Sequence, residues 1–177
     1  MKLNVRDDFY LSSIHQNDKA AYLEHLNDRS ILDAIPILPY PYREADADWW
    51  IQRRLAFLRK SKKEISFALR NSENYLIGSV GIDDFEIGET HRAEVGYWIA
   101  KSYRGRGLIS DALSIFIQYA FSNLALTRLT AHTLDFNKAS ARILEKNGFK
   151  LEGCLRKHTK TQNGVFDTLV WGLLKGE

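Results

Sequence analysis

The chain has 177 residues, 45% of them hydrophobic, and a formal net charge of +3 at pH 7. That size and apolar content suit one domain, residues 1–177, with a core of its own, and so small a charge gives no reason to expect a nucleic-acid partner. A single cysteine, Cys154, excludes an internal disulfide and leaves no thiolate set for a metal; residues 2–8 are charged and no apolar run is long enough for a bilayer, which argues against a signal peptide or a membrane span and for a cytoplasmic protein.

Residues 9–14 read as a first strand. Asn17 or Asp18 then offers an N-cap, and Ala20, Ala21, Leu23 and Leu26 form the stripe of a helix ending near Asn27. All three prolines fall in residues 35–42, which can be neither ordinary helix nor central strand. Residues 43–60 hold Trp49, Trp50, Leu55, Phe57 and Leu58 without a breaker and predict a second, longer helix. Trp49 and Trp50 are read first as core, and otherwise as lining for an acceptor pocket. The basic run at residues 59–63 is a solvated helix end, where cations suit the helix dipole.

A hairpin follows, with residues 65–70 going out, 71–74 turning and 75–82 returning. After a turn at 87–91, residues 93–100 make a further strand. The helix beginning at Leu108 places Ala112, Phe116 and Ala120 on one face with Leu113, Ile117 and Phe121 beside it. Residues 128–133 form a short strand, and 137–147 a helix with Asn137 as N-cap and Gly148 as its stop. Two strands, 149–155 and 165–174, close the chain around a polar segment at 156–164. Cys154 lies between Leu151 and Leu155 and is expected to be a small packed thiol. A strand, two helices and then an antiparallel meander do not make a doubly wound sheet.

The stretch Tyr103-Arg104-Gly105-Arg106-Gly107-Leu108-Ile109-Ser110 is the turn where the strand at 93–100 feeds the following helix. Its glycines permit positive φ and close approach of a ligand, and the first N–H groups of a helix have no intrahelical partner, so the turn suits a phosphate or pyrophosphate. Arg104 and Arg106 add positive charge. The Walker spacing and its lysine are missing, and so are the third glycine and downstream acid of a dinucleotide loop, which excludes two common phosphate ligands.

What remains resembles the Arg/Gln-x-x-Gly-x-Gly/Ala signature of the GCN5-related N-acetyltransferases, with Ile109 where Gly or Ala is usual. Residues 137–149, from Asn137 through Gly148 to Phe149, resemble the second signature of the same family. The tail Glu152-Gly153, Arg156, Asn163-Gly164 and Asp167 is similar to its ribosomal-protein (RimJ/RimL-like) branch. The likeness implies an α/β fold with a mixed, mostly antiparallel sheet flanked by helices and splayed between its fourth and fifth strands, at 94–100 and 128–133. It implies acetyl-CoA as cosubstrate and an N-acetyltransferase activity without a metal. Unpaired backbone groups of Tyr97, Trp98 and Ile99 would bond the pantetheine amides. The amides of Arg104, Gly105, Arg106, Gly107, Leu108, Ile109 and Ser110 would hold the pyrophosphate, and an N–H near Tyr97 would stabilise the negative charge developing on the thioester oxygen.

Under that resemblance Asn137 caps its helix and touches the cofactor arm or an ordered water, Ser140 donates to the departing thiolate with Tyr97 and Tyr103 as rivals, and Glu94 is the candidate base, acting through water. An exposed helix serine and a salt-bridged glutamate are the plainer readings of Ser140 and Glu94. His91, His132 and His158 have a better-matched pKa, but two fall in turn-like segments and no pattern fixes any of them at the thioester. Transfer is then direct, in a ternary complex. An α-amine, as at a protein N-terminus, is the favoured acceptor. Small amines such as polyamines, amino acids or antibiotics are the alternative, for which Asp83, Asp84, Glu86 and Glu89 would supply an acidic pocket. A non-catalytic CoA-binding scaffold is the rival from another class. The acceptor and any homo-oligomer are left open.

Overall fold

The computed structural model describes residues 1–82 and 90–177; the acidic stretch singled out above lies in residues 83–89, outside the described residues. The architecture is an eight-stranded sheet with helices on both faces. In chain order it runs β1 (Lys2–Arg6), β2 (Phe9–Ser13), α1 (Lys19–Leu26), α2 (Arg29–Leu32), α3 (Glu44–Ser61), β3 (Ser66–Arg70), β4 (Leu76–Ile82), β5 (Arg92–Ile99), α4 (Leu108–Asn123), β6 (Arg128–Leu134), α5 (Lys138–Lys146), β7 (Lys150–Thr161) and β8 (Gly164–Leu174). The strands lie in the order β1-β2-β3-β4-β5-β6-β8-β7, and every neighbour is antiparallel except β5 and β6.

Two apolar layers hold this sheet. Leu108, Leu113, Phe116 and Ala120 of α4 pack with Phe67, Val80, Val95 and Leu129 on one face, where the stripe predicted for that helix is buried. On the other face Ala21, Tyr22 and Leu26 of α1 and Ala47 and Ile51 of α3 meet Ala68 and Leu76. Burying each Val, Leu, Ile or Phe side chain among them contributes about 1.5–3 kcal/mol relative to leaving it exposed. An ion pair sits between these layers: Arg70, 2% exposed, donates from Nη1 and Nη2 to both oxygens of Asp18 at 2.7 and 2.9 Å. Asp18 Oδ2 also accepts the N–H of His15 at 2.7 Å. The carboxylate foreseen as an N-cap for the first long helix is thus taken up by the turn before it and by the sheet.

The structure corrects the expected elements in several places. Residues 2–6, read as merely charged, form β1, because alternate residues Leu3 and Val5 turn inward against the core while Lys2, Asn4 and Arg6 face water. The turn α2 adds a short helix ahead of the proline segment, capped by Asp28 on the N–H of Ser30 at 2.8 Å. The polar segment at 156–164 is strand for most of its length: β7 continues to Thr161 through a register shift between Leu155 and Thr159, where Lys157 takes a φ of 50°. Cys154 is exposed, not packed. Partial desolvation and then the neighbouring Asp167 carboxylate raise its thiol pKa, the reverse of an activated nucleophile. Trp49 is 59% exposed, and of the pair only Trp50 packs, donating to the Tyr22 hydroxyl at 3.3 Å.

Candidate active site

The parallel pair β5 and β6 defines the site. Its register holds for Arg92 with Arg128, Ala93 with Leu129 and Glu94 with Thr130, and then stops. Both strands run on, to Ile99 and Leu134, without pairing to each other. On its far edge β5 stays paired to β4 from Val95 to Ile99, so the strand is fixed while its inner edge is open. Unpaired strand edges are ready to hydrogen-bond an extended amide-bearing ligand. The gap leads into a cleft of about 830 Å³ lined by Glu94 through Ile99, the loop from Arg104 to Ser110, and Asn137, Ser140 and Arg142 of α5 and its approach. Every residue predicted for cofactor binding except Arg106 lines it.

The backbone of the loop is arranged so that it could receive an anion. Arg104 N–H donates to Lys101 O at 3.3 Å and Asp111 N–H to Gly107 O at 3.0 Å. Between them, among the described residues, no N–H from Gly105 to Ser110 has a protein acceptor. Gly105 and Gly107 sit at φ 75° and 77°, and Gly107 is the N-cap of α4, so these donors converge at the positive end of a 16-residue helix. Ile109, the departure from the family pattern, is 6% exposed with its side chain in the core; its bulk is kept out of the loop while its N–H remains in it. Ser110 is likewise buried and its Oγ accepts from Asn147 Nδ2 at 3.1 Å.

Side chains brace the cradle from outside. Arg6 of β1 donates to Arg106 O and pairs with Asp111 at 3.2 Å. Arg104 donates to Ile99 O at 3.3 Å and to Ser30 Oγ at 2.7 Å, joining the loop to α2. Arg106 lies over the Tyr103 ring and donates to Ser102 O at 3.3 Å. No sequence signal pointed to Arg6, because the contact joins residues 100 positions apart.

Across the gap, Tyr97 of β5 meets Ser140 of α5 with 2.8 Å between the hydroxyl oxygens, and the Tyr97 hydroxyl also reaches Ser140 O at 3.2 Å. The two rivals for one role are therefore a hydrogen-bonded pair. Burial pushes the Tyr97 phenol up to about 12, against a smaller opposing effect of the Ser140 hydrogen bond. It stays protonated and available as a donor throughout the neutral range. Asn137 caps α5 as expected, its Oδ1 accepting from Ser140 N–H at 3.1 Å. Tyr103, the third rival, accepts from Asn71 at 3.3 Å and packs on Phe9.

Glu94 and His132 face each other on the opposite side of β5. Burial alternates along the strand, with Ala93, Val95 and Ile99 in the core layer with α4 and Glu94, Gly96 and Trp98 on the other face, where Trp98 meets Tyr22. Among the described residues, nothing lies within 4 Å of where a Cβ on Gly96 would stand, so these residues leave an open space between Glu94 and Trp98. His132 Nδ1 is 2.8 Å from Glu94 Oε1, with the side chains 37% and 45% exposed. No sequence pattern singles out His132 from His91 and His158, both of which are exposed and outside the lining of the cleft. Among the described residues, no group of three His, Cys, Asp or Glu side chains could hold a metal, and no helix is long and apolar enough to cross a membrane.

Comparison with known proteins gives the family and the fold. Residues 8–150 match the acetyltransferase (GNAT) domain family. A probable N-acetyltransferase of Bacillus subtilis, YjcK, is 38% identical over 96 residues, 54% of this chain and 52% of that protein. The ribosomal-protein-serine acetyltransferase of Escherichia coli is 35% identical over 96 residues, again 54% of this chain and 52% of the relative. The chain thus spans about half the length of each. The solved structure of RimL, a ribosomal L7/L12 α-N-protein acetyltransferase in complex with coenzyme A, superposes with a TM-score of 0.86 over 98% of both chains at 16% identity.

Proposed function

This chain belongs to the GNAT family of acetyl-CoA-dependent N-acetyltransferases, and from that premise we propose that it acetylates a primary amine, with the α-amine of a protein N-terminus, a ribosomal protein among the candidates, as the acceptor class. The observation that carries the reading is the run of unpartnered N–H groups from Gly105 to Ser110 opening directly into the gap between β5 and β6. That loop holds the diphosphate, the free edge at Tyr97, Trp98 and Ile99 holds the two pantetheine amides, and Asn137 adds a side-chain contact to the arm. The thioester then lies between the Tyr97–Ser140 pair and Glu94.

The chemistry asked of these residues is modest. A thiol ionises near 8.5, so a departing thiolate needs stabilisation more than a full proton, and a phenol at about 12 with a serine hydroxyl beside it supplies hydrogen bonds without giving up its own proton. A backbone N–H near Tyr97 acts where negative charge gathers on the carbonyl oxygen. An α-amine with a pKa of about 7.7–8.0 is neutral for roughly a tenth of the time at pH 7, a lysine for less than about a thousandth. An α-amine therefore asks little of the protein, and Glu94 supplies the negative charge on the acceptor side. Most of the rate comes from holding the two reactants in line. A cytoplasmic location belongs to the same reading.

The test is thiol release from acetyl-CoA across a panel of N-terminal peptides, lysine peptides with blocked N-termini, and polyamines. Release driven by free peptide N-termini supports the reading. Release driven only by polyamines would move the acceptor to the small-amine class, and CoA binding without acceptor-dependent release would make the protein a scaffold.

A further inference from the structure

The strands β5 and β6 part immediately after Glu94 and Thr130. His132, two residues beyond Thr130 on the same face, therefore sits at the mouth of the gap, and Glu94 reaches across to it at 2.8 Å. In a parallel pair that stayed closed these side chains would lie over a covered ladder; here they border the cleft. A carboxylate only accepts, so its closeness to Nδ1 favours the tautomer with the proton on Nδ1, which leaves Nε2 bare. Among the described residues nothing bonds Nε2. The same face carries the open space over Gly96. A basic nitrogen, a free lone pair and room for a small group thus meet beside the strand whose backbone is offered to the thioester arm.

We propose that His132 is the catalytic base, taking the proton of the acceptor amine on Nε2, and that Glu94 is the positioning residue that fixes its tautomer. The inference rests on the acetyl-transfer reading above and changes the part assigned to Glu94. In the step, the amine nitrogen forms the new bond to the acetyl carbon, the carbon–sulfur bond breaks, and its electron pair leaves on the CoA sulfur. The proton shed by the nitrogen moves to Nε2, and the resulting imidazolium is paired with Glu94 until water takes the proton away. No other reactant is needed. A carboxylate alone is a poor match for an ammonium proton at neutral pH, whereas an imidazole is a good one; the pairing explains why a glutamate and a histidine should share this edge.

The experiment compares wild type with His132→Gln, Glu94→Ala and the double variant at neutral pH, using the acceptor found in the panel assay. General-base catalysis is worth at least about 100-fold, so His132→Gln is expected to lower kcat by roughly that factor with KM for acetyl-CoA within about twofold. Glu94→Ala should lose less, and the double variant no more than His132→Gln alone, because the two act as one unit. Both side chains are exposed, and unchanged melting temperatures would show that the variants are folded. A second readout needs no acceptor: nitrogen-15 NMR of His132 should show Nδ1 protonated and Nε2 bare in wild type, with that preference lost in Glu94→Ala. Full kcat in His132→Gln with a loss in Glu94→Ala would overturn the proposal and return the proton to the carboxylate. A tautomer unchanged by Glu94→Ala would overturn the positioning role. Wild type that releases no thiol with any amine would instead sink the transfer reading itself, while the NMR result would still report on the pair.

Discussion

Replacing Gly107 by alanine separates two things this residue does. At φ 77° an alanine is strained whatever space surrounds it, and among the described residues the only atom within 4 Å of its Cβ is Arg6 Nη1 at 3.8 Å, so these residues add no clash to the strain. A non-glycine residue in the left-handed region costs roughly 1–2 kcal/mol. In a chain of this length each kcal/mol lowers the melting temperature by about 2–4 °C, so the loss should fall between about 2 and 8 °C. The chain can relieve that strain only by turning the amides of Gly107 and Leu108 out of the cradle. Losing one charge-assisted hydrogen bond to a phosphate, at about 1.5–3 kcal/mol, weakens CoA binding roughly 10- to 100-fold. Gly148→Ala is the control: its φ is 85° and its Cβ would make an ordinary 3.4 Å contact with Leu173, far along the chain from the loop. Thermal unfolding and calorimetric titration with CoA measure both quantities. Gly148→Ala should lose stability but not affinity. If Gly107→Ala melts as expected and binds CoA like wild type, the diphosphate does not sit on this loop.

Three further outcomes follow from named contacts. Filling the open space with Gly96→Leu should raise KM for the acceptor about tenfold or more and leave CoA binding unchanged, because one bulky side chain there removes the room next to Glu94 and Trp98; steady-state kinetics with each substrate varied in turn decides it. Asp18→Ala strands the buried guanidinium of Arg70 and should cost about 3–5 kcal/mol in urea unfolding, a loss that would be absent if solvent reached the pair. Burial raises the phenol pKa of Tyr22, Tyr42 and Tyr97, the last two to about 12. Groups raised on folding stabilise fully below their unfolded value near 10, and that contribution drains away as pH climbs from about 10 to 12. The melting temperature should therefore start to fall above about pH 10, and less steeply in Tyr97→Phe; an equal fall in that variant would remove Tyr97 from the effect.

Where the sequence was legible, the reason is local. The α4 stripe, the Asn137 cap and the Gly148 stop each answer to neighbours within four or five residues, and all three stand as read. The hairpin of β3 and β4 was equally plain. β1 escaped notice because it carries only two apolar residues among charged ones, and those matter only once β2 lies beside it. The outer end of β7 escaped for a different reason. Its residues Arg156, Lys157, His158 and Lys160 are all exposed, so that part of the strand shows no alternation between buried and exposed apolar sides. Cys154 was misjudged on the same account, since Leu151 and Leu155 beside it are themselves exposed.

The site divides along the same line. The loop from Arg104 to Ser110 is continuous in sequence, so glycines, arginines and a helix start could be read together as a phosphate seat. Glu94 with His132, and Tyr97 with Ser140, are pairs made by two elements that meet only because β6 returns parallel to β5 after α4. Nothing in residues 95–99 or 131–134 marks them as unpaired, because each run has the composition of a strand that would ladder normally. Leaving such edges open has a cost, as buried backbone groups must find partners. A closed parallel ladder would have satisfied them at no expense of sequence. Two regular strands that stay apart for half their length leave an edge that an amide-bearing ligand can pair with, and only the assembled sheet shows that edge.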